Sequence, residues 1–214
     1  MAARALALAL LGAAVGGCAE AEPRAVSGAG GTVSVAAIEA ALQACMGGDT
    51  EAGIATLDSM LARVPASVDA LTTRGLCHWT LYAADSAGAD AEAAHADFTA
   101  ALDAAAEADD GAFATPLDRI YSHRAFVSRA RGDDWSATIA DLTAAIEAAP
   151  DNPVHRLDRG VAHRYAGAPE AARTDLETYL SMVDSADTAR RDMVVEMLGE
   201  LDAASGAPEP AATP

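Results

Sequence analysis

The middle of the chain repeats itself. Gly53-Ile54-Ala55-Thr56-Leu57, followed by Met60-Leu61 and Pro65, has the same phasing as Thr138-Ile139-Ala140-Asp141-Leu142, followed by Ala145-Ile146 and Pro150. Within each copy the apolar residues recur three and four apart, which puts them on one face of a helix. A unit with a period of about 34 residues cannot bury such a face alone, so copies must stack on one another to form a core. Composition agrees with this. Apolar residues make up 51% of the 214 and aromatics only 4%. Alanine, the best helix former, supplies much of the apolar half, while the β-branched and aromatic residues that build sheets are scarce. The expected fold class is all-α.

A small residue at position 20 of such a period, a large apolar one at 24 and a proline at 32 resemble the tetratricopeptide repeat (TPR). The likeness fits most of residues 34 to 182 and implies about four helical hairpins. Repeat one runs from Ser34 to Ser67, with a weak first helix that lacks an aromatic. Repeat two starts at Val68 and carries Arg74-Gly75, then Phe98 and Ala101-Leu102 in a second helix that arrives seven residues late. Ala83 to Asp90 (AADSAGAD) is therefore expected to be an enlarged loop between its helices. Repeat three starts at Asp118, behind Thr115-Pro116 as N-cap and first helical residue; repeat four starts at Pro153, capped by Asn152, and Pro169 opens its second helix. From 183 to 203 the stripe Met193, Val194, Met197, Leu198 and Leu201 predicts a helix that caps the last repeat.

Positions 7 and 23 of the repeat vary together. Arg74, Arg124 and Arg159 at the first are matched by Asp97, Asp141 and Asp175 at the second, whereas repeat one has Ala40 and Thr56. A guanidinium fork and a carboxylate make two parallel hydrogen bonds, so these are expected to be structural ion pairs tying the helices of a hairpin together.

Helical phase also locates a recognition surface. Positions 2, 5, 9 and 12 of the first helix form a stripe roughly 120° from the one that faces the second helix, and in TPR proteins that stripe lines a concave groove. It holds Asp69, Thr72, Leu76 and Trp79 in repeat two and Arg119, Ser122, Phe126 and Arg129 in repeat three. In repeat four it holds Val154, Leu157, Val161 and Arg164, with Tyr165 adjacent. Aromatics and arginine concentrate the energy of interfaces, so Trp79, Arg119, Phe126, Arg129, Val161, Arg164 and Tyr165 are the candidate partner-binding residues. Trp135, at position 17, is expected in the core. The chain carries a net charge of −18, with no lysine, but residues 118 to 165 hold seven arginines against seven acids. A neutral, arginine-bearing centre inside an acidic envelope suits a protein or peptide ligand with a carboxylate and an apolar anchor, and it opposes nucleic acid or an anionic membrane surface as partner. The lysine and asparagine pattern of the TPR clamp for chaperone tails is absent.

Residues 1 to 17 carry a single charge, Arg4, and an apolar run from Ala5 to Val15. That run is shorter than the about 20 residues needed to span a bilayer and reads as a signal peptide. Val15-Gly16-Gly17-Cys18 resembles the bacterial lipobox, which implies cleavage before Cys18 and its lipidation, and hence a membrane partner through a lipid anchor. Ala19, where inner-membrane lipoproteins carry Asp, points to the outer membrane and a domain facing the periplasm. The competing reading is ordinary cleavage at Ala19-Glu20-Ala21. Residues 18 to 33, rich in Gly, Ala and Pro, are expected to be a flexible tether, and 204 to 214 a disordered tail. With Cys18 lipidated, Cys45 and Cys77 are left as an even number in an oxidising compartment, which allows a disulfide.

Catalytic signals are thin. Five histidines are scattered, and neither an HExxH, a zinc-spaced cysteine pair, a GxSxG nor a nucleotide-binding glycine pattern occurs. No catalytic residue, metal or cofactor is assigned. The sequence reads as a non-enzymatic, membrane-tethered adaptor. The alternatives are an envelope enzyme with a site in the acidic loops or around His123 and His163, and a structural lipoprotein that self-associates as a homo-oligomer through an end face.

Overall fold

The computed structural model describes residues 25–28, 31–109, 112–183 and 188–205. The signal peptide, Cys18 and the tail from 206 onward lie outside the described residues. Strands β1 (Ala25–Gly28) and β2 (Gly31–Ser34) pair antiparallel, Val26 opposite Val33. The helices that follow are α1 (Val35–Met46), α2 (Thr50–Leu61), α3 (Val68–Asp85), α4 (Gly88–Glu107), α5 (Leu117–Arg131), α6 (Trp135–Ala148), α7 (Pro153–Tyr165), α8 (Pro169–Met182) and α9 (Thr188–Ser205). Helices α1 and α2, α3 and α4, and α7 and α8 pair as hairpins, with α9 following the last.

Three local expectations are corrected. Part of the 18–33 tether is the strand pair, pinned where Val33 buries its side chain against the core; glycine-rich composition concealed a short β ladder. The enlarged loop at 83–90 does not form. Instead α3 and α4 extend to 18 and 20 residues, leaving Ser86 and Ala87 between them, with Ser86 in the left-handed region at φ 62°. Alanine propagates helix through the extra residues, and Ala91 and Ala94 bury their methyls. Finally, α5 begins at Leu117, one residue after the expected Pro116, and the Thr115 hydroxyl donates to Asp69 at 2.6 Å. At the other hairpin Asn152 accepts from the Val154 amide, and Pro153 and Pro169 open α7 and α8.

The chain divides into two compact units, residues 1–131 and 132–214. The first centres on Leu57, Phe98, Ile120 and Val127, and a disulfide joins Cys45 of α1 to Cys77 of α3 with Cα atoms 5.4 Å apart. In the second, Leu157, Leu176 and Tyr179 pack with Val194, Met197 and Leu201 of α9. Small residues let the helices of a hairpin close on each other. A Cβ on Gly75 would sit 2.9 Å from the Phe98 ring, and one on Gly160 3.0 Å from Leu176.

Arginine forks lock the same hairpins. Arg74 donates from Nε and Nη2 to the Asp97 carboxylate at 2.9 and 2.6 Å, and Arg159 donates likewise to Asp175 at 2.8 and 2.8 Å. These hydrogen bonds push both guanidinium pKa values up, against the desolvation that lowers them. Arg124 and Asp141, the remaining predicted pair, are in different units. A third branch of each arginine was not anticipated. Nη1 reaches back to the second helix of the preceding repeat, to Asp58 at 2.6 Å from Arg74, to Thr99 at 3.5 Å from Arg124 and to Thr143 at 3.1 Å from Arg159. All three acceptors stand at position 25. Each arginine is thus a tie between neighbouring repeats; for Arg74 and Arg159 it also joins the two helices of one hairpin.

Candidate functional site: a cavity on the first helices

In the first unit, α1, α3 and α5 enclose a cavity of about 180 Å³. These are the first helices of three consecutive repeats. Position 9 of each contributes to the wall, as Leu42, Leu76 and Phe126, joined by Trp79 from position 12. Trp79 stacks on Tyr82 with ring centroids 5.2 Å apart, which fixes the indole. Leu42 and Met46 were missed in the sequence because the first helix of repeat one has no aromatic. Their signal was the register itself, since Leu42 occupies the same position as Leu76 and Phe126.

The polar lining is largely committed. Thr72, Thr73 and Thr80 donate to the carbonyls of Val68, Asp69 and Leu76 at 2.8, 2.7 and 2.8 Å. Of the lining side chains only Arg119 and His123 are basic, and the His123 ring stacks on Phe98 at 5.6 Å. Asp69, expected on the groove stripe, is instead buried. It accepts from the amides of Ala114 and Thr115 at 3.0 and 2.8 Å and from the Thr115 hydroxyl, and so holds the segment that leads into α5. A carboxylate in the first turn of α3 with open amides opposite explains this: burial of a charge is tolerated when hydrogen bonds replace its water.

The predicted site residues separate accordingly. Trp79, Arg119 and Phe126 line the cavity; Arg129 is exposed on α5 and does not. Val161, Arg164 and Tyr165 belong to the second unit, where α9 covers much of the stripe. Val161 packs against the Leu157, Val194 and Met197 cluster, and Arg164 pairs with Glu200 while lying 5.9 Å over the Tyr165 ring. A last hairpin needs its bare face covered, and Val161 and Arg164 serve that covering. Tyr165 is 61% exposed and stacks on Trp135 at 5.2 Å, so Trp135 is a half-buried platform rather than core.

Titratable groups elsewhere are dispersed. His123 and His163 lie in different units; burial lowers the His163 pKa against the pull of Asp175, 3.9 Å away. Burial pushes the Asp158 carboxyl up to about 7, opposed by Arg190. Among the described residues, no group of three or more His, Cys, Asp or Glu could hold a metal ion, and no helix is long and apolar enough to cross a membrane.

No protein-family model and no curated protein matches the chain. Solved structures do. YrrB, a TPR protein with an unusual peptide-binding site, superposes with a TM-score of 0.62 at 15% identity over 82% of this chain and 79% of that one. MamA superposes with a TM-score of 0.56 at 15% identity over 84% and 97%. The APC/C hetero-tetramer Cut9-Hcn1 superposes with a TM-score of 0.61 at 15% identity over 78% of this chain, which spans only 29% of that one. Paired helices in this register, closed at their small positions and matched by these neighbours, give the chain the all-α fold of tetratricopeptide-repeat proteins.

Proposed function

We propose that the protein is a non-enzymatic binding module, tethered by a lipidated Cys18 to the outer membrane and facing the periplasm, that takes a protein segment at the cavity between α1, α3 and α5. The observation that carries this is the convergence of Trp79, Phe126, Leu42 and Leu76 with Arg119 at one concavity. Tryptophan, phenylalanine and arginine in a partly desolvated pocket are the residue types that dominate interface energies. The peptide-binding site for which YrrB is described supports the same use of the fold. Acid–base chemistry is disfavoured at this cavity because Arg119 and His123 are its only strongly polar titratable lining groups, with no carboxylate among them. The lipobox-like Val15-Gly16-Gly17-Cys18 and the disulfide support export to an oxidising compartment.

A photo-crosslinking amino acid placed at Met46, which is 37% exposed at the cavity, should capture a partner in cells. Trp79→Ala should abolish the adduct without changing the helical circular dichroism. Equal adduct yield in the two proteins would remove the cavity as the binding site. Cys18→Ala should move the protein from the membrane to the soluble fraction; an unchanged distribution would remove the lipid anchor.

A further inference from the structure

The cavity also indicates what kind of segment it takes, and the inference rests on the reading of that cavity as the binding site. The geometry points to a partner segment that inserts one large apolar side chain, of leucine, methionine or phenylalanine size, and sets an Asp or Glu beside it on Arg119.

Size comes first. A volume of about 180 Å³ lies below the roughly 300 to 1,000 Å³ of sites for whole small molecules and close to the about 150 Å³ of an apolar cavity that holds benzene. One ring or one branched aliphatic group fills it. Chemistry selects within that size. The walls are Leu42, Leu76, Trp79, Phe98, Phe126 and Val127, and the hydroxyls of Thr72, Thr73 and Thr80 already donate to their own helix. A polar side chain entering here would lose water and find few new hydrogen bonds, which is unfavourable.

Arg119 supplies the second element. It sits in the first turn of α5, at the positive end of the helix macrodipole, where a cation is disfavoured and where Asp118 already provides the expected acid. It is exposed at the cavity and makes no ion pair among the described residues, in a chain that has 32 acids to offer. A residue that breaks a local preference without an internal partner is placed for an external one. Its placement is also held in advance, because Asp69 clamps the Ala114 and Thr115 amides just ahead of the helix. The net charge of −18 does not forbid an acidic ligand. Charges beyond about 8 Å are largely screened at physiological ionic strength, whereas a contact pair is not.

Random heptapeptides displayed on phage, selected against the wild-type domain and against Arg119→Glu, test this. Wild type should enrich peptides with Phe, Leu or Met within two residues of Asp or Glu. Arg119→Glu, an exposed change in a first turn that favours acids, should fold normally and enrich Lys or Arg beside the same apolar residue. With a synthetic peptide from the wild-type selection, serine in place of the apolar residue should weaken binding at least about 30-fold. Charge reversal at Arg119 should weaken it about 3- to 10-fold. Two failures are distinct. If the enriched peptides bind Leu76→Trp, in which the cavity is filled, as well as wild type, or if nothing is enriched, the cavity is not the binding site. If binding needs the cavity but the enriched peptides carry polar anchors, or the flanking charge is the same for both proteins, the cavity reading stands and the assignment of apolar anchor plus acid is overturned.

Discussion

Removing the Cys45–Cys77 disulfide should cost the first unit roughly 3 to 4 kcal/mol. The two cysteines are 32 residues apart, and closing a loop of that length in the unfolded chain removes conformational entropy worth about that amount at room temperature. The bond matters more for its position. Repeats two and four lock their hairpins with Arg74 and Arg159, but repeat one has Ala40 and Thr56 where that pair would be. The disulfide cross-links α1 to α3, and α1 contributes Leu42 and Met46 to the cavity. Both sulfurs are buried, at 2% and 0% residue exposure, so a thiol reductant acts after the unit opens. The assay is urea unfolding of Cys45→Ala/Cys77→Ala against the oxidised parent, both with Trp135→Phe so that Trp79 in the first unit is the sole tryptophan. With a slope of about 1 to 3 kcal/mol per molar urea, the midpoint should fall by about 1 to 4 M. A loss below about 1 kcal/mol would refute the reasoning, because the entropy of the unfolded loop would then not be what the bond restrains.

Other perturbations separate buried from exposed contributions. Asp97→Ala should cost about 3 to 5 kcal/mol by stranding the Arg74 fork beside a buried site, whereas Asp58→Ala, whose side chain is 55% exposed, should cost less than about 1 kcal/mol; equal losses by denaturant titration would undo the ranking. Gly75→Ala gains about 1 kcal/mol of helix propensity but drives a methyl against Phe98 at 2.9 Å, so a net loss of about 1 kcal/mol is expected in thermal unfolding, and a stabilised variant would refute it. Asp158 has a folded pKa of about 7 against 3.8 unfolded. The native state therefore holds an extra proton between those values, and stability declines as pH rises through that window and levels off above it. Asp158→Asn should remove the decline and gain on the order of 2 kcal/mol above pH 7, allowing for partial exposure; a gain independent of pH from 4 to 8 would show that the carboxyl is not titrating.

How much of this was legible depended on whether the cause was local or shared between elements. The pairing of Arg159 with Asp175 was readable because both residues recur at fixed positions within one repeat. Their link to Thr143 was not, because position 25 holds Asp58 in one repeat and Thr99 or Thr143 in others, and only the third branch of the guanidinium shows that acceptance, not charge, is the common property. Helical phase put Trp79, Arg119 and Phe126 on one stripe, and they share a cavity. The same phase applied to Val161 and Arg164 located the stripe equally well but not its occupant. At the end of an array the exposed face must be covered by whatever follows in the chain. The α9 helix does this with Val194, Met197 and Glu200, so register positions 9 and 12 serve folding in repeat four, whereas Leu76, Trp79 and Phe126 at those positions line the cavity in repeats two and three. Asp69 is the converse. A stripe position read as ligand-facing became a buried clamp because the irregular stretch after α4 returns its amides to that carboxylate. No periodicity encodes such a return, since the segment that makes it lies outside the repeat.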